Sequence, residues 1–220
     1  MTASERQKFV PALRYRWLTP YYDAVVRITT RERTVKAALV AQAGLESGHR
    51  VLDLACGTGT LSIWAKQASP QSEVLGIDGD PEILSIARRK AEQEDTTVEF
   101  DTAMSYDLPY PDAHFDRVLS SLFFHHLSLD DKLRTAREIH RVLKPGGQLH
   151  VADWGRAESC VMRGLFVFVQ ILDGFANTRD NVSGKLVGVF DEAGLEKVTE
   201  RRTFRTMLGT MTLYSGERPT

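Results

Sequence analysis

The sequence predicts an α/β fold: a doubly wound, mostly parallel sheet with helices on both faces. Two observations carry this. Short apolar runs alternate with amphipathic stretches along the chain, as strands alternate with crossover helices. The run Val51-Leu52-Asp53-Leu54 ends in the turn Ala55-Cys56-Gly57-Thr58-Gly59, and a second run, Val74-Leu75-Gly76-Ile77, ends in Asp78. The first pattern is a buried strand entering a tight loop. The second places an acid 25 positions after Asp53, near the offset at which such sheets set a carboxylate against ribose hydroxyls.

The elements follow in order. Residues 21–44 read as helical, with Ala37 to Ala41 leading to a glycine stop at Gly44. The first strand runs from Arg50 to Leu54 and the next helix from Thr60 to Ala68. The second strand covers Glu73 to Ile77, and Pro81 opens a helix through Ala91, since proline suits a first turn. Strands are expected at Thr97 to Asp101 and Phe115 to Leu122. A helix from Leu129 to Leu143 is ended by Lys144-Pro145-Gly146-Gly147, and a fifth strand spans Gln148 to Asp153. A helix from Lys185 to Ala193 stops at Gly194. Leu195 to Arg205 and Thr210 to Ser215 read as a closing pair of strands.

Composition bounds the function. A chain of 220 residues, 42% of them hydrophobic, is enough for one globular domain with a sizeable core. The net charge of −1 carries no electrostatic footprint for nucleic acid. Cys56 and Cys160 lack metal-like spacing, so no metal site is expected. No apolar run reaches membrane-spanning length, and the first ten residues lack a signal-peptide core. A cytoplasmic protein without stable membrane insertion is the expectation.

The glycine turn narrows the ligand. A dinucleotide fingerprint needs a third glycine, where this chain has Leu61-Ser62-Ile63, and no Gly-Lys-Ser/Thr follows for a P-loop. Asp53, one residue before the strand ends, would repel a pyrophosphate and suits a cofactor with a cationic head. Gly57 and Gly59 let a ligand approach the backbone where a Cβ would intrude.

The turn resembles motif I of the class I S-adenosylmethionine-dependent methyltransferases, usually close to V-L-D-x-G-C-G-T-G. Leu108-Pro109-Tyr110-Pro111-Asp112, Phe124-His125-His126-Leu127 and Glu138 to Gly147 resemble three later blocks of that family, in the same order. The group containing the ubiquinone and menaquinone C-methyltransferases is the most similar. The resemblance implies a Rossmann-like sheet of seven strands with the last antiparallel. It also implies one methyltransferase domain over 1–220, with an N-terminal helical cap at 1–45 and a lid insertion at 155–184. S-adenosyl-L-methionine would be the cofactor, with Asp53, Ala55, Gly57 and Gly59 at its methionine part and Asp78 on both ribose hydroxyls. Gly79, Ala103 and Met104 would lie by the adenine, and Ser121 and Leu122 would face the sulfonium. Met104 stands where relatives carry the Asp that bonds the adenine amino group, so backbone, Ser105 or a water would replace it. Ala55 for glycine is a mild change if its φ is negative.

His126 and His125 follow the fourth strand as candidate general bases, with loop anchoring the alternative. His126 is preferred. His114, His140 and His150 read as surface or helix-packing residues. Asp153 lines the pocket or caps a turn. Tyr22, in the segment that covers the cofactor in relatives, is a candidate contact for its carboxylate end. The apolar run Val161 to Phe175 suits a lid over an apolar small-molecule acceptor, or else a homodimer face or plain core. The functional expectation is methyl transfer to a small acceptor. A nicotinamide-dependent oxidoreductase and a non-catalytic S-adenosylmethionine-binding protein are the alternatives.

Overall fold

In the computed structural model, residues 29–157, 159, 162–166, 170, 178, 180, 181 and 183–220 are described. Their elements in chain order are α1 (Glu32–Ala43), β1 (Arg50–Leu54), α2 (Thr60–Ala68), β2 (Glu73–Asp78), α3 (Pro81–Gln93), β3 (Glu99–Thr102) and β4 (Phe115–Ser121). Then come a 3-10 turn (Phe124–His126), α4 (Leu129–Val142), β5 (Leu143–Trp154), α5 (Leu186–Glu192), β6 (Glu196–Arg205) and β7 (Thr210–Glu217). The seven strands form one sheet in the order β3-β2-β1-β4-β5-β7-β6. Strands β1 to β5 pair in parallel, and β7 inserts antiparallel between β5 and β6. This is the expected architecture. Tyr22, Cys160, Val161, Phe168 and Phe175 lie outside the described residues.

Local chemistry explains the boundaries. Asp80 caps α3 by accepting from the Glu82 amide, with Pro81 in the first turn, and Ser128 caps α4 by accepting from the Asp131 amide. One boundary differs from the sequence reading. Lys144 to Gly147 do not end a helix before the fifth strand; β5 already begins at Leu143. Gly146 donates its N–H to the Arg218 carbonyl, and the Arg218 N–H returns to the Gly147 carbonyl. A partner at the other end of the chain converts the turn into strand.

Strand alternation sorts side chains to two cores. Leu52, Leu54, Val118 and Val151 meet α4 and α5 on one face, while Val51, Leu119, Ala152 and Trp154 share the other with Val35 and Leu39 of α1 and Leu61 and Ala65 of α2. By the same alternation Asp53 falls on the α1/α2 face and Asp153 on the α4/α5 face. His150, expected at a surface or helix contact, is buried, with Nδ1 3.2 Å from the Gln42 side chain of α1.

Candidate functional site

The carboxyl ends of β1 and β2 build a loop on backbone amides. The Cys56 N–H donates to the Ile77 carbonyl at 2.8 Å, and the Gly59 N–H to the Cys56 carbonyl at 3.0 Å. Asp78 then clamps the turn. Its Oδ2 accepts from the Gly57 amide and its Oδ1 from the Asp80 amide, both at 3.0 Å. Burial raises the pKa of this carboxyl, against the amides of Asp80, Gly57 and Gly79. Each carboxylate oxygen has a second lone pair, so Asp78 can still accept two hydroxyls. The Ala103 N–H donates to the Asp78 carbonyl at 3.1 Å, which brings the tip of β3 alongside.

The glycines serve different ends. Gly57 has φ 54°, and a Cβ built there would meet nothing within 4 Å. It leaves open space above the loop. Gly59 has φ 74°, but its Cβ would lie 2.9 Å from Phe100 and 3.0 Å from Ala87. Its small size is required by packing, not by a ligand at that atom. Ala55 has φ 57°, which corrects the expectation that replacing glycine is mild here. An L-residue in this left-handed region costs about 1–2 kcal/mol. Leu122, one residue past β4, is also left-handed at φ 56°. The two left-handed residues follow the neighbouring strands β1 and β4, and such strain collects at functional sites.

Asp53 points away from the loop surface. It is buried, and its Oδ2 accepts from the Ser62 hydroxyl at 2.5 Å. Burial pushes its pKa up to about 6, opposed by that hydroxyl and by the Lys36 ammonium. Lys36 itself pairs with Glu32 at 2.5 Å, so the start of α1 brings two further charges toward motif I. The sequence reading missed both, because no local pattern links α1 to β1. At the expected adenine position, Met104 forms an isolated backbone bridge with Asp107, and the Ser105 hydroxyl lies 2.9 Å from Thr135 of α4. Ser105 is therefore turned toward the helix, which leaves backbone or water as the substitute acceptor.

The carboxyl ends of β4 and β5 are built instead from side chains. Ser121 closes β4 opposite Ala152, and the Leu122 N–H donates to the Ala152 carbonyl at 2.8 Å. The chain then turns through Phe124–His126. His125 and Asp153 are both buried, with His125 Nδ1 2.8 Å from Asp153 Oδ1. Asp153 also accepts from the Phe123 N–H at 3.1 Å, the Trp154 N–H at 2.7 Å and Asn181 Nδ2 at 3.2 Å. Burial alone would raise the Asp153 pKa; His125 and the amide donors outweigh it and hold the group below the carboxylate range. His126 lies with its ring 3.9 Å from that of His125, tilted by 42°. Burial, and then His125, press its pKa down to about 3. At neutral pH His126 is uncharged, and of the two candidates His125 has the buried Asp153 carboxylate as a hydrogen-bond partner. Phe166, in the expected lid, packs on Trp154 at 5.2 Å between ring centroids, whereas Leu165 is exposed.

Two of the sequence blocks prove to be struts. Arg141 donates to Glu138, Asp112, the Leu108 carbonyl and the Tyr110 carbonyl, and Glu138 accepts from the Leu108 N–H. Lys144 pairs with Asp116 at 2.8 Å, which also takes the Arg50 N–H. Arg141 thus ties α4 to the loop between β3 and β4, and Asp116 ties β5 to β4 and β1 at the amino ends of the strands, opposite the site.

A family model described as a methyltransferase domain matches residues 51–147. A demethylmenaquinone methyltransferase of Deinococcus radiodurans is 36% identical over 139 residues, covering 62% of this chain and 57% of that relative. One from Symbiobacterium thermophilum is 32% identical over 183 residues, covering 78% of this chain and 71% of the relative. The chain belongs to the S-adenosylmethionine-dependent methyltransferases. The crystal structure of an S-adenosylmethionine-dependent methyltransferase from Aquifex aeolicus matches its fold with a TM-score of 0.65 at 20% identity, covering 96% of this chain and all of that one. The chain spans 57–62% of the length of the first relatives it matches.

The residues fit the methyltransferase cofactor. The backbone at Gly57 faces open space, and the Asp78 carboxylate suits a ribose diol. Among the described residues there is no cluster of His, Cys, Asp or Glu able to hold a metal. No helix among the described residues is long and apolar enough to cross a membrane.

Proposed function

We propose that the protein transfers the methyl group of S-adenosyl-L-methionine to a small, largely apolar acceptor. One observation carries the reading. An open cradle over Gly57 lies between a diol-accepting carboxylate, Asp78, and the strained tip of β4 at Leu122. When bound, the cofactor supplies an electrophilic methyl on sulfonium for in-line displacement. The chain contributes proximity and orientation. Asp78 holds the ribose, the amides of the Ala55 to Gly59 turn set the depth of binding, and Ser121 and Leu122 border the transferring group. Relatives are named for demethylmenaquinone, which makes that compound the first acceptor to try. We further propose a single domain with an N-terminal cap over 1–45 and a lid over 155–184, acting in the cytoplasm without nucleic-acid partners. The lid's apolar run doubles as a candidate homodimer face.

Calorimetric titration with S-adenosylhomocysteine and with NAD tests the cofactor, and transfer of a labelled methyl group to demethylmenaquinone tests the reaction. S-adenosylhomocysteine should bind and NAD should not. Asp78→Ala should weaken S-adenosylhomocysteine roughly tenfold to a hundredfold, since hydrogen bonds to charged groups are worth about 1.5–3 kcal/mol. Unchanged affinity in that variant, or preferential binding of NAD, would refute the assignment.

A further inference from the structure

On the α1/α2 face, α1, the start of β5 and the β6/β7 ribbon enclose a cavity of about 350 Å3. Gln42 of α1, the buried His150 of β5, Lys197 and Arg201 of β6 and Glu217 of β7 line it. His150 stands four residues before the end of β5, so roughly 13 Å of strand separates it from the cofactor end. Charge in the cavity is unbalanced. Arg201 Nε donates to the Ser215 hydroxyl at 2.7 Å, which fixes the guanidinium plane. Its two Nη groups have no hydrogen-bond partner among the described residues. Arg117, beside Gln148 across the β4–β5 ladder, hydrogen-bonds the Ala43 and Asp116 carbonyls. Among the described residues neither guanidinium has a carboxylate within ion-pair distance; Glu46, Asp116 and Glu217 act on Arg117 from further away. Glu217 is the one carboxylate lining the cavity, and Lys197 pairs with it at 3.1 Å.

The hydrogen bonds of His150 make it a donor. Gln42 Nε2 gives one hydrogen to the Tyr214 carbonyl at 3.0 Å and the other to His150 Nδ1 at 3.2 Å. Nδ1 thus holds the lone pair and Nε2 carries the proton, with only a long 3.3 Å contact to Gln148 Oε1. Burial, then Arg117 and Arg201, press the pKa of His150 down to about 3, so the ring is neutral. The strand opposite is distorted. Pairing of β6 with β7 slips twice, between Glu196 and Thr199 and between Glu200 and Arg202, and Lys197 is left-handed at φ 52°. Bulges re-aim side chains, and a non-glycine residue held at positive φ is strain that collects at functional sites. Here they bring Lys197 and Arg201 to one cavity. We propose that the cavity binds a phosphate group, held by the Arg201 fork, Lys197 Nζ and His150 Nε2. A phosphate suits this set, because it accepts from several donors at once and a guanidinium fork matches two of its oxygens. Bound there, it joins α1 to the β6/β7 ribbon through Gln42 and His150.

The probes are inorganic phosphate and glycerol phosphate, titrated calorimetrically into the full chain, with sodium chloride at matched ionic strength as the control. Wild type should bind phosphate and melt higher in its presence, since a ligand that binds only the native state stabilises it. Chloride should do neither. Arg201→Gln should weaken phosphate roughly tenfold or more, by losing the charged fork. Lys197→Gly removes the ammonium and relieves the left-handed strain, so it should melt no lower than wild type without phosphate, yet bind phosphate less well. A merely structural lysine would change the melting temperature and not the affinity. Glycerol phosphate identifies the source: binding as tight as inorganic phosphate or tighter supports a phosphate ester, and weaker binding supports the free ion. Phosphate indistinguishable from chloride in wild type overturns the proposal, as does phosphate affinity unchanged in either variant. If both variants melt several degrees lower without phosphate, these residues hold the fold and not an anion, which also overturns it.

Discussion

Asp53 and Asp153 end strands two places apart in the sheet, and both are completely buried, yet they titrate in opposite directions. Asp53 is raised to about 6, while Asp153 is held below the ordinary carboxylate range. Burial acts alike on both. The partners differ. Asp53 leans on Ser62 and a distant Lys36, whereas Asp153 collects two backbone amides, an imidazole and a carboxamide. A buried carboxylate keeps its charge when enough donors surround it, and tends toward neutrality when they do not. The contrast extends to the two halves of the site. The β1/β2 half is made of backbone amides and left-handed residues around open space. The β4/β5 half is made of side chains brought from separate segments.

The largest effects should come from the glycines, which test whether the first half is a backbone cradle. Gly57→Val should abolish S-adenosylhomocysteine binding in calorimetry while the protein still folds. Gly59→Val should instead destabilise the fold, on the order of 4 kcal/mol by denaturant titration, from overpacking against Phe100 and Ala87 plus left-handed strain. If the two variants behave alike, the division between cradle and packing glycine fails.

Asp153→Asn probes the second half. It removes the charge that four donors surround, and breaking a buried pair in this way costs about 3 kcal/mol. Thermal unfolding should show that loss while S-adenosylhomocysteine affinity stays within a few-fold. A selective loss of cofactor binding would merge the two halves.

Asp53→Asn should act with the opposite sign. An aspartate has a pKa near 3.9 when unfolded. With a folded value of about 6, the native state binds more protons across the interval between them. Stability therefore falls as pH rises through that window, and at pH 7 the penalty is about 2–3 kcal/mol. Asparagine keeps an acceptor for Ser62 and escapes the penalty. Asp53→Asn should be more stable than wild type at pH 7 by about 2 kcal/mol, with little difference near pH 4, while S-adenosylhomocysteine binds less well. Chemical denaturation at the two pH values decides it, and a less stable variant at pH 7 would break the comparison.

The smallest effect belongs to Ala55→Gly. Relief of left-handed strain is partly offset by the chain entropy glycine loses on folding, which leaves a gain of at most about 1 kcal/mol. A rise of a few degrees in melting temperature is expected, with the cofactor site intact. A loss would mean that Ala55 Cβ makes a contact worth more than the strain.

How much the sequence carried depends on how local each interaction is. β1 and α2 fall where the apolar runs and the glycine turn place them, and the Asp78 clamp follows from a strand ending in an acid. The sequence alone determined the α/β class, because it rests on periodicity and short-range turn chemistry, while the family came from the resemblance of four ordered blocks to known methyltransferases. Tertiary structure decided the rest. The start of β5 depended on Arg218 at the far end of the chain, and the two glycines were distinguished only by Phe100 folding over one of them. Asn181 reaches Asp153 across 28 positions, and Asp153 reaches His125 across another 28. Pairing of β4 with β5 brings those segments together, and no spacing rule links them. The charge of each buried aspartate was settled last, since it depends on how many donors the packed fold aims at it.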